Sequence, residues 1–395
     1  MAALLPKVAL NELPASEIKV AARDPLLRKE LWEWRGVGSG GLCAHLESLL
    51  SRAVNEGIED QASDAAAALA NLAASEDNVE ESSLRTTIRR AVETTAFRST
   101  CAWAVRAAGV SDAAAHAIGI FFENILVSAP TFVSQLPLDV AASCVLEASA
   151  SIGQLAKASD VERDDDRMRM LGQKRLRWLK LLADASAKGE TVCKRIVLSG
   201  AWEACADVAF EMVSFDYQAS QHSVNVLRNV LIGGSTVALK GTGFAKISRA
   251  LWKQTASQDH NTSATAAAAL RMLAPKCPSA ARDAAPALGE LDLKRVHPIA
   301  RVEMARAVAV SLDAPEAVAA FSSQLNDMVF FVAFLLASPH SQLHKEALAA
   351  CTYVRKWIST QGSPDNPLRA IASKEIVQGK TFADLLAALD ASDLI

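Results

Sequence analysis

The sequence predicts an all-α fold, and three observations carry that prediction. Apolar residues recur at i, i+3, i+4 and i+7 along most of the chain, with almost no period-two alternation of the kind a half-buried strand shows. The apolar content, 51% of 395 residues, is supplied mainly by Ala, Leu and Val, while aromatics make up 5% and Tyr occurs only twice. Ala and Leu head the helix propensity scale, so such a composition favours close-packed helices. Breaks at Ser75–Asn78, Ser128–Pro130, Gly233–Gly234, Pro275–Pro278 and Ser338–Pro339 divide the chain into helices of ordinary length. Disordered and collagen-like classes are excluded by the same numbers, with 18 Gly and 13 Pro against an apolar half. At roughly 150 residues per domain, the length allows two or three globular units or one elongated repeat array.

Residues 3–34 are amphipathic and suit a helical cap on one end of the chain. Gly36–Gly41 follows as a turn between helices. Next come Gly40-Gly-Leu-Cys-Ala-His-Leu-Glu-Ser-Leu-Leu50 and Ala62-Ser-Asp-Ala-Ala-Ala-Ala-Leu-Ala-Asn-Leu-Ala-Ala-Ser75. Weaker echoes of the second segment recur: Phe122–Leu126 leads into Ser128–Pro130, Val226–Val230 into Gly233–Gly234, and Ala269–Leu273 into Pro275. Val308–Leu312 then leads into Pro315, and Ala347–Cys351 closes the series. Between these, Leu176, Trp178, Leu179, Leu181 and Leu182 form an apolar helix stripe with Gly189 as its stop signal. The run Ser159–Arg167 carries consecutive like charges, which repel and stay solvated, and reads as an inserted loop. Val302, Ala305, Val308, Val310 and Leu312 mark another helix, ended by Pro315. Phe382, Leu385, Leu386 and Leu389 give the tail an apolar stripe, suited to capping the array or to docking in a partner's groove.

The segments at 40–50 and 62–75 resemble an armadillo repeat, in which a Gly-Gly turn precedes a helix ending in paired leucines. The last helix of such a repeat carries a small-small-Leu-x-Asn-Leu signature. With the Asn position as register mark, the series runs Asn71, Asn124, Asn229, Met272, Ser311 and Cys351. Its later steps of 43, 39 and 40 residues fit armadillo and HEAT units of roughly 40–47 residues. The first step, 53 residues, then implies an insertion, and the 105 residues from Asn124 to Asn229 imply two units plus an insert near 159–170. The resemblance implies a right-handed α-solenoid in one elongated domain. A cap would occupy residues 1–35, an armadillo-like array 36–373, and a second cap or docking helix 374–395.

The charge balance, 41 Lys and Arg against 44 Asp and Glu, lacks the basic excess of a nucleic-acid binder. The seven cysteines are scattered and form no C-x-x-C pair, so no zinc knuckle or thioredoxin-type site can be drawn, and free thiols fit a reducing compartment. Gly36-Val-Gly-Ser-Gly-Gly41 lacks the Lys-Ser/Thr of a phosphate loop and any strand before it. His340 and His344 share a helical face, but Ser-Gln-Leu between them offers no general base. Asp164–Asp166 is a charge run without metal-loop spacing. Cys43 and His45, within one turn, point apart. Lys174, Arg175, Arg177 and Lys180 make a charged helix face, read here as solvated surface with phosphate or acidic-partner contact as the sharper alternative. The longest apolar stretch, Met328–Ala337, falls far short of the ~20 residues a bilayer requires. Neither a cofactor nor a metal nor a small-molecule ligand is expected, and the cytoplasm is the expected compartment, or an organelle matrix if a presequence has been removed.

In armadillo proteins that bind extended peptides, the resemblance implies a ladder on the last helices: the Asn amide holds the peptide backbone, and a Trp four residues earlier builds side-chain pockets. Here Ala67, Ile120 and Asn225 stand where that Trp would be, so the nuclear-import type of ladder is not expected. Asn71, Asn124, Asn225 and Asn229 either bind a partner or hydrogen-bond within the repeat. Arg228 and Arg271 recur at one register and suit a shared groove wall. The function expected is a non-catalytic protein-interaction scaffold, a structural subunit of a multiprotein assembly. A co-chaperone or exchange factor gripping a client transiently is the alternative, and an all-α enzyme with a cryptic site the second.

Overall fold

The computed structural model describes residues 13–33, 41–74, 81–157, 164–211, 216–233, 236–273 and 276–277, together with Val296, Ala300 and the two short strands of a hairpin, β1 (Glu375–Val377) and β2 (Lys380–Thr381). The rest of the secondary structure among the described residues is helical. Two compact units divide the chain, residues 1–188 and 189–395.

The first unit holds α1 (Ala15–Ala21), α2 (Pro25–Glu33), α3 (Gly41–Glu56), α4 (Glu59–Ala73), α5 (Glu81–Ala91), α6 (Thr95–Ala107), α7 (Asp112–Ser128), α8 (Leu138–Leu155) and α9 (Asp165–Ser186). Its packing repeats. Helix α4 lies between α1 and α7, and α7 lies between α4 and α9, so α1, α4, α7 and α9 form one layer. Helix α3 packs against α6 in a second layer, and α8 pairs with α9. The thin last helices explain this closeness. In α4, Ala62, Ala65, Ala66, Ala68, Ala70 and Ala73 are all buried, and small side chains let neighbouring axes approach toward the short end of the usual 8–10 Å.

Sharp connections hold the layers in place. Helix α3 ends in a Schellman motif: Gly57 takes φ 66°, Gly57 N donates to Val54 O at 3.4 Å, and Ile58 N donates to Ala53 O at 3.0 Å. Thr94 and Ser111 cap α6 and α7, each hydroxyl accepting the backbone N–H three residues on. A second device occurs at two successive repeats of this unit. Arg28 of α2 donates to Ala74 O beyond the end of α4, at 2.5 Å, and Arg89 of α5 donates to Ser128 O at the end of α7, at 2.9 Å. In both cases a basic side chain of an earlier helix thus satisfies a carbonyl left at the end of the last helix.

An aromatic cluster fills the space between the layers. The 3-10 helix Pro130–Gln135 carries Phe132 edge-on to Phe97, with centroids 5.8 Å apart, and nearly parallel to Phe122 at 6.2 Å. Trp178 of α9 sits 6.3 Å from Phe122 and is fully buried. Each such ring contributes about 1.5–3 kcal/mol by burial alone.

The second unit repeats the alternation with α10 (Glu190–Leu198), α11 (Ala201–Glu211), α12 (Tyr217–Ile232), α13 (Thr236–Gln254) and α14 (His260–Leu273). Helix α11 packs on α12 and α13, and α12 packs on α14. The chain is an all-α, helical-repeat protein.

Three expectations change. The 53-residue step is the repeat length of the first unit rather than an insertion, because Asn71, Asn124 and Arg177 stand 53 residues apart on consecutive helices of one layer. The charged run is only in part available as a loop: residues 158–163 lie outside the described set, and Asp164 caps α9 by accepting Arg167 N at 2.8 Å. Asp165 and Asp166 then occupy the first turn, where carboxylates complement the helix dipole. Finally, the stripe of α9 is apolar as expected at Trp178, Leu179, Leu181 and Leu182, yet Lys174 and Arg175 beside it are buried too, 4% and 3% exposed. The helix expected at 302–312, the apolar run 328–337, His340 and His344, the tail stripe at 382–389 and the array boundaries near 35 and 373 lie outside the described residues.

Candidate functional site

The face that the repeat register points to is the layer α1–α4–α7–α9. Along it, one side chain per helix reaches back to the helix before. Asn71 Nδ2 donates to Lys19 O at 2.9 Å, and Asn124 Nδ2 donates to Ala70 O at 3.1 Å. These acceptors lie 52 and 54 residues earlier, so the same contact recurs at two successive interfaces. Each Asn is half-buried. Its amide nitrogen holds the neighbouring repeat, and its Oδ1 keeps acceptor capacity.

At the third interface the chemistry changes while the geometry stays. Arg177 stands where an Asn would, and its Nη1 donates to Glu123 Oε2 at 2.6 Å. Lys180, one turn on, donates to Glu123 Oε1. Burial alone would raise the Glu123 carboxyl, but hydrogen bonds and charge from Lys180 and Arg177 outweigh it and hold the group below its usual range. Gly119 makes the approach feasible, since a Cβ there would stand 2.8 Å from Arg177 Cγ. Trp178 fixes the register by donating Nε1 to Ala115 O at 3.1 Å. A nuclear-import ladder has no place here: Ala67, Ile120 and Gln173 precede the three register residues by four, and Trp178 is buried in the core.

The basic face of α9 is therefore solvated only in part: Lys174 and Arg175 are buried, while Arg177 and Lys180 keep 31% and 39% of their side chains exposed. Lys174 Nζ lies 3.0 Å from Asp112 Oδ1 and 3.5 Å from Glu147 Oε2. Desolvation would lower its pKa, but the hydrogen bond from Lys174 to Asp112 and the surrounding charge raise it. The sequence reading missed these roles because the partners come from α7 and α8; the 53-residue step was the signal that could have found Arg177. Beside Lys174 a polar cavity of about 500 Å³ opens, walled by Glu59, Asp60, Ser111, Glu147 and Arg167.

In the second unit, Asn225 and Asn229 on α12 are half-buried and Arg228 is exposed, as is Arg271 on the adjacent α14. The carbonyl of Asn229 accepts Gly233 N at 2.8 Å and lies 3.4 Å from Cys193 Sγ.

Among the described residues, no group of three or more His, Cys, Asp or Glu is placed to hold a metal. Burial pushes the thiols of Cys43 and Cys144 up to about 11 and that of Cys205 to about 12, the opposite of an activated nucleophile. His45, close to Cys43 in sequence, pairs its Nε2 with Leu13 O at 2.9 Å. No described helix is long and apolar enough to cross a membrane.

No family model and no curated protein matches the chain. Among solved structures it is similar to an engineered protein of the Northeast Structural Genomics Consortium, at 16% identity over 86% of this chain and 94% of that one, with a TM-score of 0.43. A second engineered protein of the same consortium aligns at 19% identity over 69% of this chain and 96% of that one, with a TM-score of 0.38. UNC-45 from Drosophila melanogaster aligns at 13% identity over 100% of this chain and 56% of that one, with a TM-score of 0.41. Likenesses this distant add no argument about function, and the helical-repeat fold stands on the packing described above.

Proposed function

We propose that this chain is a non-catalytic protein-interaction scaffold of armadillo type, acting in the cytoplasm as a stable subunit of a larger assembly. The observation that supports this reading is the layer α1–α4–α7–α9. Its helices are clamped to one another by Asn71, Asn124 and Arg177, while Val20 and Val127 on the same layer stay 49% and 54% exposed. A rigid face with apolar side chains spread among polar ones suits contact distributed over a large area with a few anchors. The layer serves the partner as a platform, and its polar groups set register rather than carry out chemistry.

Copurification of the tagged full chain from its native cells, washed at low and then high salt, tests the proposal. Recovery of the same partners at fixed stoichiometry through the high-salt wash is the expected result. Partners that leave on addition of nucleotide would replace the scaffold with a transient co-chaperone. A free monomer that turns over a small molecule would replace it with an enzyme.

A further inference from the structure

We draw no further inference here: the strongest candidate, the polar cavity at the amino-terminal ends of α4 and α7, mixes acidic Glu59, Asp60, Asp112 and Glu147 with basic Arg167 and Lys174, and nothing in the structure shows what would fill it.

Discussion

Arg177 on α9 reaches Glu123 on α7 across 2.6 Å at the register where, one repeat earlier, Asn124 reaches the main chain of α4. A neutral clamp of one hydrogen bond is thereby replaced by a charged one, with Lys180 as the second donor. Glu123 has 11% of its side chain exposed, against 31% for Arg177 and 39% for Lys180, so the carboxylate is the desolvated member.

Replacing Glu123 by Gln leaves two cations that can turn to water, which limits the loss. Removing one member of a fully buried pair costs about 3–5 kcal/mol, and the exposure of the cations brings the expectation here down to about 1–3 kcal/mol. The pH dependence has a definite sign. The carboxyl is held below its ordinary 4.5, so its contribution is complete above that value and disappears as pH falls through the lower, folded-state pKa. Urea unfolding at pH 7 and again below pH 4 reads both effects. Glu123→Gln should cost stability at pH 7 and lose less than the parent on acidification.

Gly119 faces Arg177, and this pair predicts a change of sign. In a helix interior Ala exceeds Gly by about 1 kcal/mol, so Gly119→Ala alone would be expected to stabilise. The 2.8 Å approach of its Cβ to Arg177 Cγ opposes that gain and pushes the guanidinium away from Glu123. Gly119→Ala should destabilise the parent by about 1–3 kcal/mol. In an Arg177→Ala background it should be neutral or stabilising. A double-mutant cycle measured by urea midpoints gives the coupling, and equal effects in both backgrounds would remove the steric account.

Lys174 and Asp112 are unequal partners. Lys174→Met leaves Asp112 and Glu147 with 34% and 65% of their side chains exposed, free to take up water. Asp112→Asn leaves an ammonium with 5% exposure facing a neutral amide oxygen in place of the carboxylate, with a single, longer ionic contact to Glu147. The second substitution should therefore cost more, about 2–3 kcal/mol against about 1 kcal/mol or less for the first. The Lys174 pKa is raised above its ordinary 10.5, so this stabilisation is complete below that value and fades as pH rises through the folded-state pKa. Thermal unfolding of both variants at pH 7 settles the order.

Local patterns made the helices legible, and distant partners hid the site. The stop after Ser128, the break after Ile232 and the buried stripe Trp178–Leu182 follow from periodicity and from Pro and Gly placement, which act over a few residues. The third register position did not show itself, because Arg occupies it in place of Asn and the clamp's other half, Glu123, lies 54 residues away. Lys174 and Arg175 looked like surface for the same reason. Their burial depends on what faces α9, and Asp112 is 62 residues back in the chain. The expected spacing near 40 residues also fitted later marks at Ser311 and Cys351, outside the described residues, and made 53 look like an exception.

The scaffold reading makes its own prediction at Val127. This side chain is 54% exposed in the last turn of α7, one turn beyond the half-buried Asn124, and exchanging an exposed side chain of this kind costs about 0.5 kcal/mol or less apart from its effect on the helix end. Val127→Glu sets a carboxylate against the dipole at the end of α7 and should lower the unfolding temperature only by the few degrees that about 0.3–1 kcal/mol produces. If the layer carries partners, a charge set among its apolar contacts must be desolvated on binding without a counter-charge, which costs several kcal/mol. Partner recovery in the high-salt copurification should fall at least tenfold, and Val20→Glu on α1 should act likewise. Asn124→Ala separates platform from contact: it removes one hydrogen bond worth about 1 kcal/mol and should lower the unfolding temperature with a smaller effect on recovery. Full recovery with both valine variants, each still folded, would move the partner surface away from this layer.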